Sequence, residues 1–526
     1  MGREIGLSDS INAEIIRLKR TRNSLLNIAR IPPEILGHIF HFGVMEVGYP
    51  HFAGIPKGAY NFLLVCHHWF QVALRTPELW SSWGNNLKDW KRWHLRSGIS
   101  ALDLILDGWG YQGAVFDGAL RDALRDRVAR DVIRKVHLKG KNTGLLTAII
   151  SSLIPEDEGV RPSNIESIVL SYVDVDVSDL FARHIFPKLR NLHLSGRFRI
   201  SSWDCLKSTT TALTNLSFDF LGIDPSSAVP TTSQIFSLLT SNPNLRSLTL
   251  NSLPINDDSG YGPGFQVPLR HLERIFLTGT FHHVFPILHR LEFPERMDRG
   301  EITLHNCTPR EVLEVMGPYI RDYLRRDPRF RDRLGVFLRS HAYCILVGAS
   351  VVGVGHRGPD RLPQDGPPYG RFEARLSRII SRNARKKLYI DILALLHQES
   401  IIDFDTDLSV TEEVVIGMSN LEVLYLTRPV ESGFLLPDPN GPNAHKKLLP
   451  SLRRLYLEDA VAMDDNWDPL VTYLVHQTSG DQTVSLELFG EGVHVCSEVI
   501  EQIEGLVEEL VYEPDPDQEC PFGKCS

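Results

Sequence analysis

Apolar residues recur along this chain with two periods, and the switch between them divides it. Near the N-terminus the period is helical. Ile11, Ile15, Leu18, Arg22 and Leu25 step by four, three, four and three, a heptad-like stripe interrupted at Arg22. Residues 8–28 are expected to form a lead-in helix that packs on its neighbours, with Ser8, Asp9 or Ser10 as N-cap. A second helix is predicted behind Pro32 and Pro33, which suit a first turn because their missing N–H groups cost nothing there. Ile35, Leu36, Ile39 and Phe40 fall on one of its faces. A third, Asn61–Leu74, carries two apolar stripes: Phe62/Val65/Trp69/Val72 and Leu63/Cys66/Phe70/Ala73. A helix that is apolar nearly all round must be buried nearly all round. A segment of about 50 residues buries only about 60% of its surface by itself. The surplus must go against the rest of the chain or against a partner.

Six of the eight tryptophans lie between Trp69 and Trp109. Leu87, Trp90, Trp93 and His94 share a face of a predicted connecting helix over 83–97, read as a stiff hydrophobic joint because Trp buries much area at low entropic cost.

Beyond Gly98 the pattern becomes apolar-x-x-apolar-x-apolar. It recurs as Ile99/Leu102/Leu104, Ile133/Val136/Leu138, Ile165/Ile168/Leu170, Leu189/Leu192/Leu194, Leu213/Leu216/Phe218, Leu245/Leu248/Leu250 and Leu272/Ile275/Leu277, and later as Leu421/Leu424/Leu426 and Leu452/Leu455/Leu457. The pattern resembles degenerate leucine-rich repeats, in which a short strand with inward leucines is followed by a return segment. That resemblance implies an α/β solenoid over residues 98–490, with roughly 11 or 12 parallel strands in an arc. The register breaks between Thr308 and Lys387, where a Gly/Pro/Asp insertion at about 353–370 is expected. Ser497–Val511 is read as a helix within a capping segment, 491–513, and 514–526 as a mobile tail. Residues between the repeat leucines, His193, Thr249, Phe276, Tyr425 and Tyr456, are expected to be exposed and become target-binding candidates.

The N-terminal stripes carry a second resemblance. Ile31-Pro-Pro-Glu-Ile-Leu, then Leu64-Val-Cys-x-x-Trp69 and Thr76-Pro-Glu-Leu-Trp80, resemble an F-box in the form common in large fungal families. F-boxes are small helical modules that bind the Skp-family adaptor of a cullin–RING ubiquitin ligase. The resemblance spans 29–82 and assigns the spare apolar stripe to adaptor binding. Carried over by position, the adaptor-binding residues are Pro33, Glu34, Ile35, Leu36, Ile39, Val65, Cys66 and Trp69. The loop Gly43–Gly58 is longer than in compact F-boxes.

Composition narrows the alternatives. A net charge of −9 over 526 residues lacks the basic footprint of a nucleic-acid binder. Seven cysteines at scattered positions 66, 205, 307, 344, 496, 520 and 525 suit reduced thiols in the cytoplasm or nucleus. The longest apolar run, Ala342–Gly355, is too short to span a bilayer, and the polar N-terminus lacks a signal-peptide core.

Candidate chemistry falls away on geometry. Gly353-Val-Gly-His-Arg-Gly358 is followed by Pro359, Pro363, Pro367 and Pro368, so no helix N-terminus stands behind the glycines to receive a phosphate. Gly348-Ala-Ser350 lacks the second glycine of a nucleophile elbow. His67 and His68 point about 100° apart on a helix and cannot chelate one metal. His282 and His283 belong to a return segment, and Cys520 and Cys525 lack two further zinc ligands. Arg321–Arg339 alternates with aspartates and reads as a solvated, self-paired face.

The expectation is therefore a non-catalytic protein without cofactor or metal: a substrate receptor of an SCF-type ubiquitin ligase. Its partners would be the Skp-family adaptor, with its cullin–RING core, and an unidentified target protein, with neither nucleic acid nor membrane involved. A repeat scaffold or sensor outside any ligase is the alternative.

Overall fold

The structure is a computed structural model. It describes residues 2–46, 63–83, 102–107, 124, 131–140, 143–153, 163–183, 185–220, 229–252, 265–294, 297, 299–319, 334–341, 344–351, 370–376, 382–395, 401–406, 418–426, 449–458, 467–478, 483–489, 495 and 497–512. The long loop Gly43–Gly58 (in large part), the Trp-rich joint 83–97 beyond Trp83, most of the arginine run, the insertion at 353–370 with its glycine motif, and the tail with Cys520 and Cys525 lie outside the described residues.

The chain forms two compact units, Met1–Asn242 and Pro243–Ser526. The first opens with helices α1 (Gly2–Ser24), α2 (Pro33–Glu46) and α3 (His67–Leu74). Its sheet follows: β1 (Ser82–Trp83), β2 (Leu102–Asp107), β3 (Ile133–Lys139), β4 (Ser167–Val173), β5 (Asn191–Gly196) and β6 (Asn215–Asp219), each pairing in parallel with the next. Two apolar rows cross it in register, Leu104/Val136/Ile168/Leu192/Leu216 and Leu106/Leu138/Leu170/Leu194/Phe218, all buried. Residues between them are mostly polar and part-exposed. This alternation marks a parallel sheet covered on one face, where two-sided burial would demand continuous apolar runs.

Short helices connect the strands, and one of them closes its own N-terminus. Thr231 and Gln234 form a reciprocal capping box at Thr232–Thr240. Phe198, Trp203, Phe218 and Phe220 interlock with ring centroids 5.0–6.5 Å apart. At the end of β5, Gly196 pairs with Val173 and has φ +112°, and a Cβ there would lie 2.6 Å from the Val173 carbonyl oxygen. Only glycine fits that contact.

The second unit contains β7 (Ser247–Asn251), β8 (Val267–Pro268), β9 (Arg274–Thr280), β10 (Leu291–Glu292), β11 (Arg299–Cys307), β12 (Leu334–His341), β13 (Cys344–Val351), β14 (Gly370–Leu376), β15 (Ile401–Thr406), β16 (Val423–Leu426), β17 (Arg454–Glu458), β18 (Ser485–Phe489) and β19 (Glu509–Tyr512). The main sheet runs β7-β9-β11-β14-β13-β12-β15-β16-β17-β18-β19. All pairs are parallel except β14–β13 and β13–β12; β8 and β10 pair separately.

These pairings correct the expected architecture. The chain is α/β with a mostly parallel sheet, but the leucine-rich-repeat solenoid is not what it forms. An antiparallel meander, β12-β13-β14, stands in reversed order between β11 and β15, so the sequence of strands does not follow the chain as a repeat stack requires. Nor does a capping helix close the end. The helix stops at Glu504, and the residues after it form β19, which pairs with β18.

Two helical expectations also change. Asn61–Leu74 is not continuous: the backbone is extended at Cys66, whose Sγ accepts from the Trp69 N–H as N-cap of α3. The lead-in stripe is not packed on neighbours, because Ile11, Ile15 and Leu18 lie open on α1.

Candidate functional site

The helical module holds a small core of Leu36, Phe40, Val72 and Ala73, with Ile31, Leu63, Trp69 and Leu79 packed against it. Trp80 closes this core from the turn Pro77–Trp80, donating its indole Nε1–H to the Ala73 carbonyl at 2.8 Å. Gly37 is buried against Thr76, whose hydroxyl donates to the Val72 carbonyl at 2.9 Å. A Cβ at 37 would lie 3.0 Å from the Thr76 hydroxyl oxygen, which would have to shift by a few tenths of an ångström.

Helix α2 therefore has two apolar stripes with opposite fates. Leu36 and Phe40 face inward. Ile35 and Ile39 face solvent at 51% and 44% exposure, and Phe42, a further turn on, is more exposed still. Ahead of α3, Leu64 and Val65 are exposed, as is Phe70 on α3 itself. Of the eight residues assigned to adaptor binding, Pro33, Glu34, Ile35, Ile39 and Val65 are on the surface. Leu36, 1% exposed, is a core residue, Trp69 is half-buried against Phe40, and Cys66 is half-buried as a helix cap. Those three support the surface instead of forming it. Phe42, Leu64 and Phe70 were missed, although Phe42 sits seven residues after Ile35, on the same helical stripe.

The face of each sheet opposite the leucine rows is the second candidate surface. In the first unit His193 Nδ1 lies 2.8 Å from Ser217 Oγ on the neighbouring strand, Asn215 donates to Asn191, and Lys135 pairs with buried Asp103 at 2.9 Å. His137 stands two strands from His193 in the same cross-strand row, Ile105/His137/Val169/His193/Ser217. Burial pushes its imidazole pKa down to about 4, opposed by Asp103 and reinforced by Lys135 and His193. Burial lowers His193 as well. Both rings are thus held neutral, as hydrogen-bonding surface and not as charge. His137 was not foreseen, yet it occupies the same place between strand leucines as His193.

In the second unit Thr249 and Phe276 are cross-strand neighbours, both part-exposed. Tyr425 and Tyr456 are also neighbours, but Tyr456 is 2% exposed, which corrects its expected exposure. The Tyr425 ring covers it. Burial and the nearby Glu487 carboxylate raise its phenol above the usual range, while Arg454 draws it back.

Among the described residues no group of three or more His, Cys, Asp or Glu is placed to hold a metal ion. No described helix is long and apolar enough to cross a membrane. Compared with protein-family models and with curated proteins, the chain matches none, so geometry and motif alone carry the functional argument.

Proposed function

We propose that this protein is the F-box-type substrate receptor of an SCF-type ubiquitin ligase. It binds a Skp-family adaptor through its helical module and presents a target protein on the strand face opposite the leucine rows. The observation that carries this reading is the outward apolar stripe Ile35/Ile39/Phe42, with Leu64, Val65 and Phe70 also exposed. Large apolar side chains left open on a module that already has a core mark a surface another protein covers. The F-box-like residues at these positions supply the kind of partner.

The chain itself does no bond chemistry in this scheme. Docking brings a bound target to the ligase core, and the rate gain comes from raised effective concentration. Cys66, Cys205 and Cys307 are free thiols, which supports work in the reducing cytoplasm or nucleus.

The test is co-purification of the full chain with a Skp-family adaptor. Wild type is expected to capture it, and Ile35→Asp combined with Ile39→Asp and Val65→Asp to lose capture at least tenfold. Absence of capture by the folded wild-type protein, or capture indifferent to these changes, overturns the reading.

A further inference from the structure

Helix α1 presents a surface that the adaptor-binding reading does not use. Ile11, Ile15 and Leu18 are 52%, 44% and 53% exposed, and Leu25, just past the helix end, is 71% exposed. Together with Arg22 they occupy the two seam positions of a heptad: Ile15 and Arg22 at a, Ile11, Leu18 and Leu25 at d. A seam of this spacing, laid open along a helix, is covered by another helix of matching period.

Charge selects that helix. In this register Glu14 stands at g and Lys19 at the following e. In a parallel pair of identical helices, g of one chain faces the next e of the other, so each Glu14 meets a Lys19 across the seam. An antiparallel pair sets g against g and e against e and loses both contacts. The combination of Ile15 at a with Leu18 at d also favours two parallel strands, while Ser8 at the preceding a and Arg22, which meets its own copy across the seam, weaken the pairing. Glu14 is already paired within its own helix to Arg17, at 2.7 Å and fully in solvent, so the carboxylate is positioned beside the seam and shared between the two cations on association.

We propose that α1 is a dimerisation helix whose occupant is α1 of a second copy of this chain, joined in a short parallel coiled coil with reciprocal Glu14–Lys19 contacts. Two heptads bury little, so the dimer is weak and concentration-dependent, and it would pair two receptor modules without occupying the stripe on α2.

Sedimentation velocity on the full chain over a wide concentration range tests this. The apparent mass is expected to rise toward twice that of one chain, and Ile15→Asp with Leu18→Asp to hold it at one. Glu14→Lys alone and Lys19→Glu alone should each weaken association several-fold. Their combination in one chain, or a mixture of the two single variants, should restore it. Arg17→Gln, which removes only the intrahelical pair, should leave it intact. A chain monomeric throughout, a dimer indifferent to the seam changes, or a charge swap that fails to rescue overturns the proposal. The helix is exposed, so the thermal transition of each variant should match wild type; readouts are compared only among variants that meet this.

Discussion

The rings of Phe40 and Trp69 meet at 5.0 Å between centroids with planes 56° apart, and this contact joins α2 to α3. It separates residues that hold the module together from residues that face outward. Trp69→Ala should cost about 2–3 kcal/mol, somewhat less than a fully buried aromatic because the ring is half-covered. Ile35→Asp and Ile39→Asp should change stability by no more than about 0.5 kcal/mol, as surface substitutions do. Urea denaturation of the three variants checks this ordering. A stable Trp69→Ala with an unfolded Ile35→Asp would mean that α2 is turned the other way.

Gly196 makes a sharper prediction. Its φ of +112° and the 2.6 Å approach to the Val173 carbonyl leave no room for a methyl group. The neighbouring Arg197 N–H already donates to that carbonyl at 2.7 Å, so the backbone cannot retreat without breaking it. Gly196→Ala is expected to destabilise the first unit by about 2–4 kcal/mol through strain and lost pairing. Thermal unfolding of the variant measures it.

The strands with inward leucines were legible because their signal is local. Leu192 and Leu194, or Leu455 and Leu457, alternate with outward residues whatever the strands do next. Non-local choices were not legible. Nothing near Leu334 announces that β12 pairs with β15 while β14 takes the place beside β11. Leu510 fits a helical face as well as a strand, which is why Ser497–Val511 reads as one helix. In the candidate docking module, periodicity puts Ile35, Leu36, Ile39 and Phe40 together on one face of α2 and does not say which pair turns inward. That depended on which side Phe40 could find Trp69. Tyr456 was read as outward from alternation, correctly for its face, but a stacked neighbour buries it.

His137 links the strand face to pH. Its pKa, lowered from 6.5 to about 4 by burial, means that the unfolded chain takes up a proton that the folded chain refuses between those values. The neutral ring's contribution is complete above pH 6.5 and is lost as pH falls toward 4, at a cost on the order of 2–3 kcal/mol. Removing the group with His137→Gln should flatten stability against pH in that window. The measurement is the difference in unfolding free energy between wild type and variant from pH 7 to 4. A constant difference would show that the imidazole titrates normally in the folded protein.

Tyr425 and Tyr456 stack at 4.2 Å with planes 10° apart on adjacent strands β16 and β17. The outer ring shields the inner one, so the two are not equivalent despite sharing one face and one register row. Tyr425→Ala removes the lid. It should cost about 1–2 kcal/mol, combining lost cross-strand contact with newly wetted aromatic surface, and should return the Tyr456 phenol toward its ordinary range as water reaches it. Tyr425→Phe keeps the ring and should change neither quantity appreciably. Spectrophotometric titration of the tyrosines, followed by chemical denaturation of the same variants, separates the two effects. If Tyr425→Ala lowers stability while leaving the phenol titration unmoved, then Glu487, and not the covering ring, is what holds the Tyr456 proton.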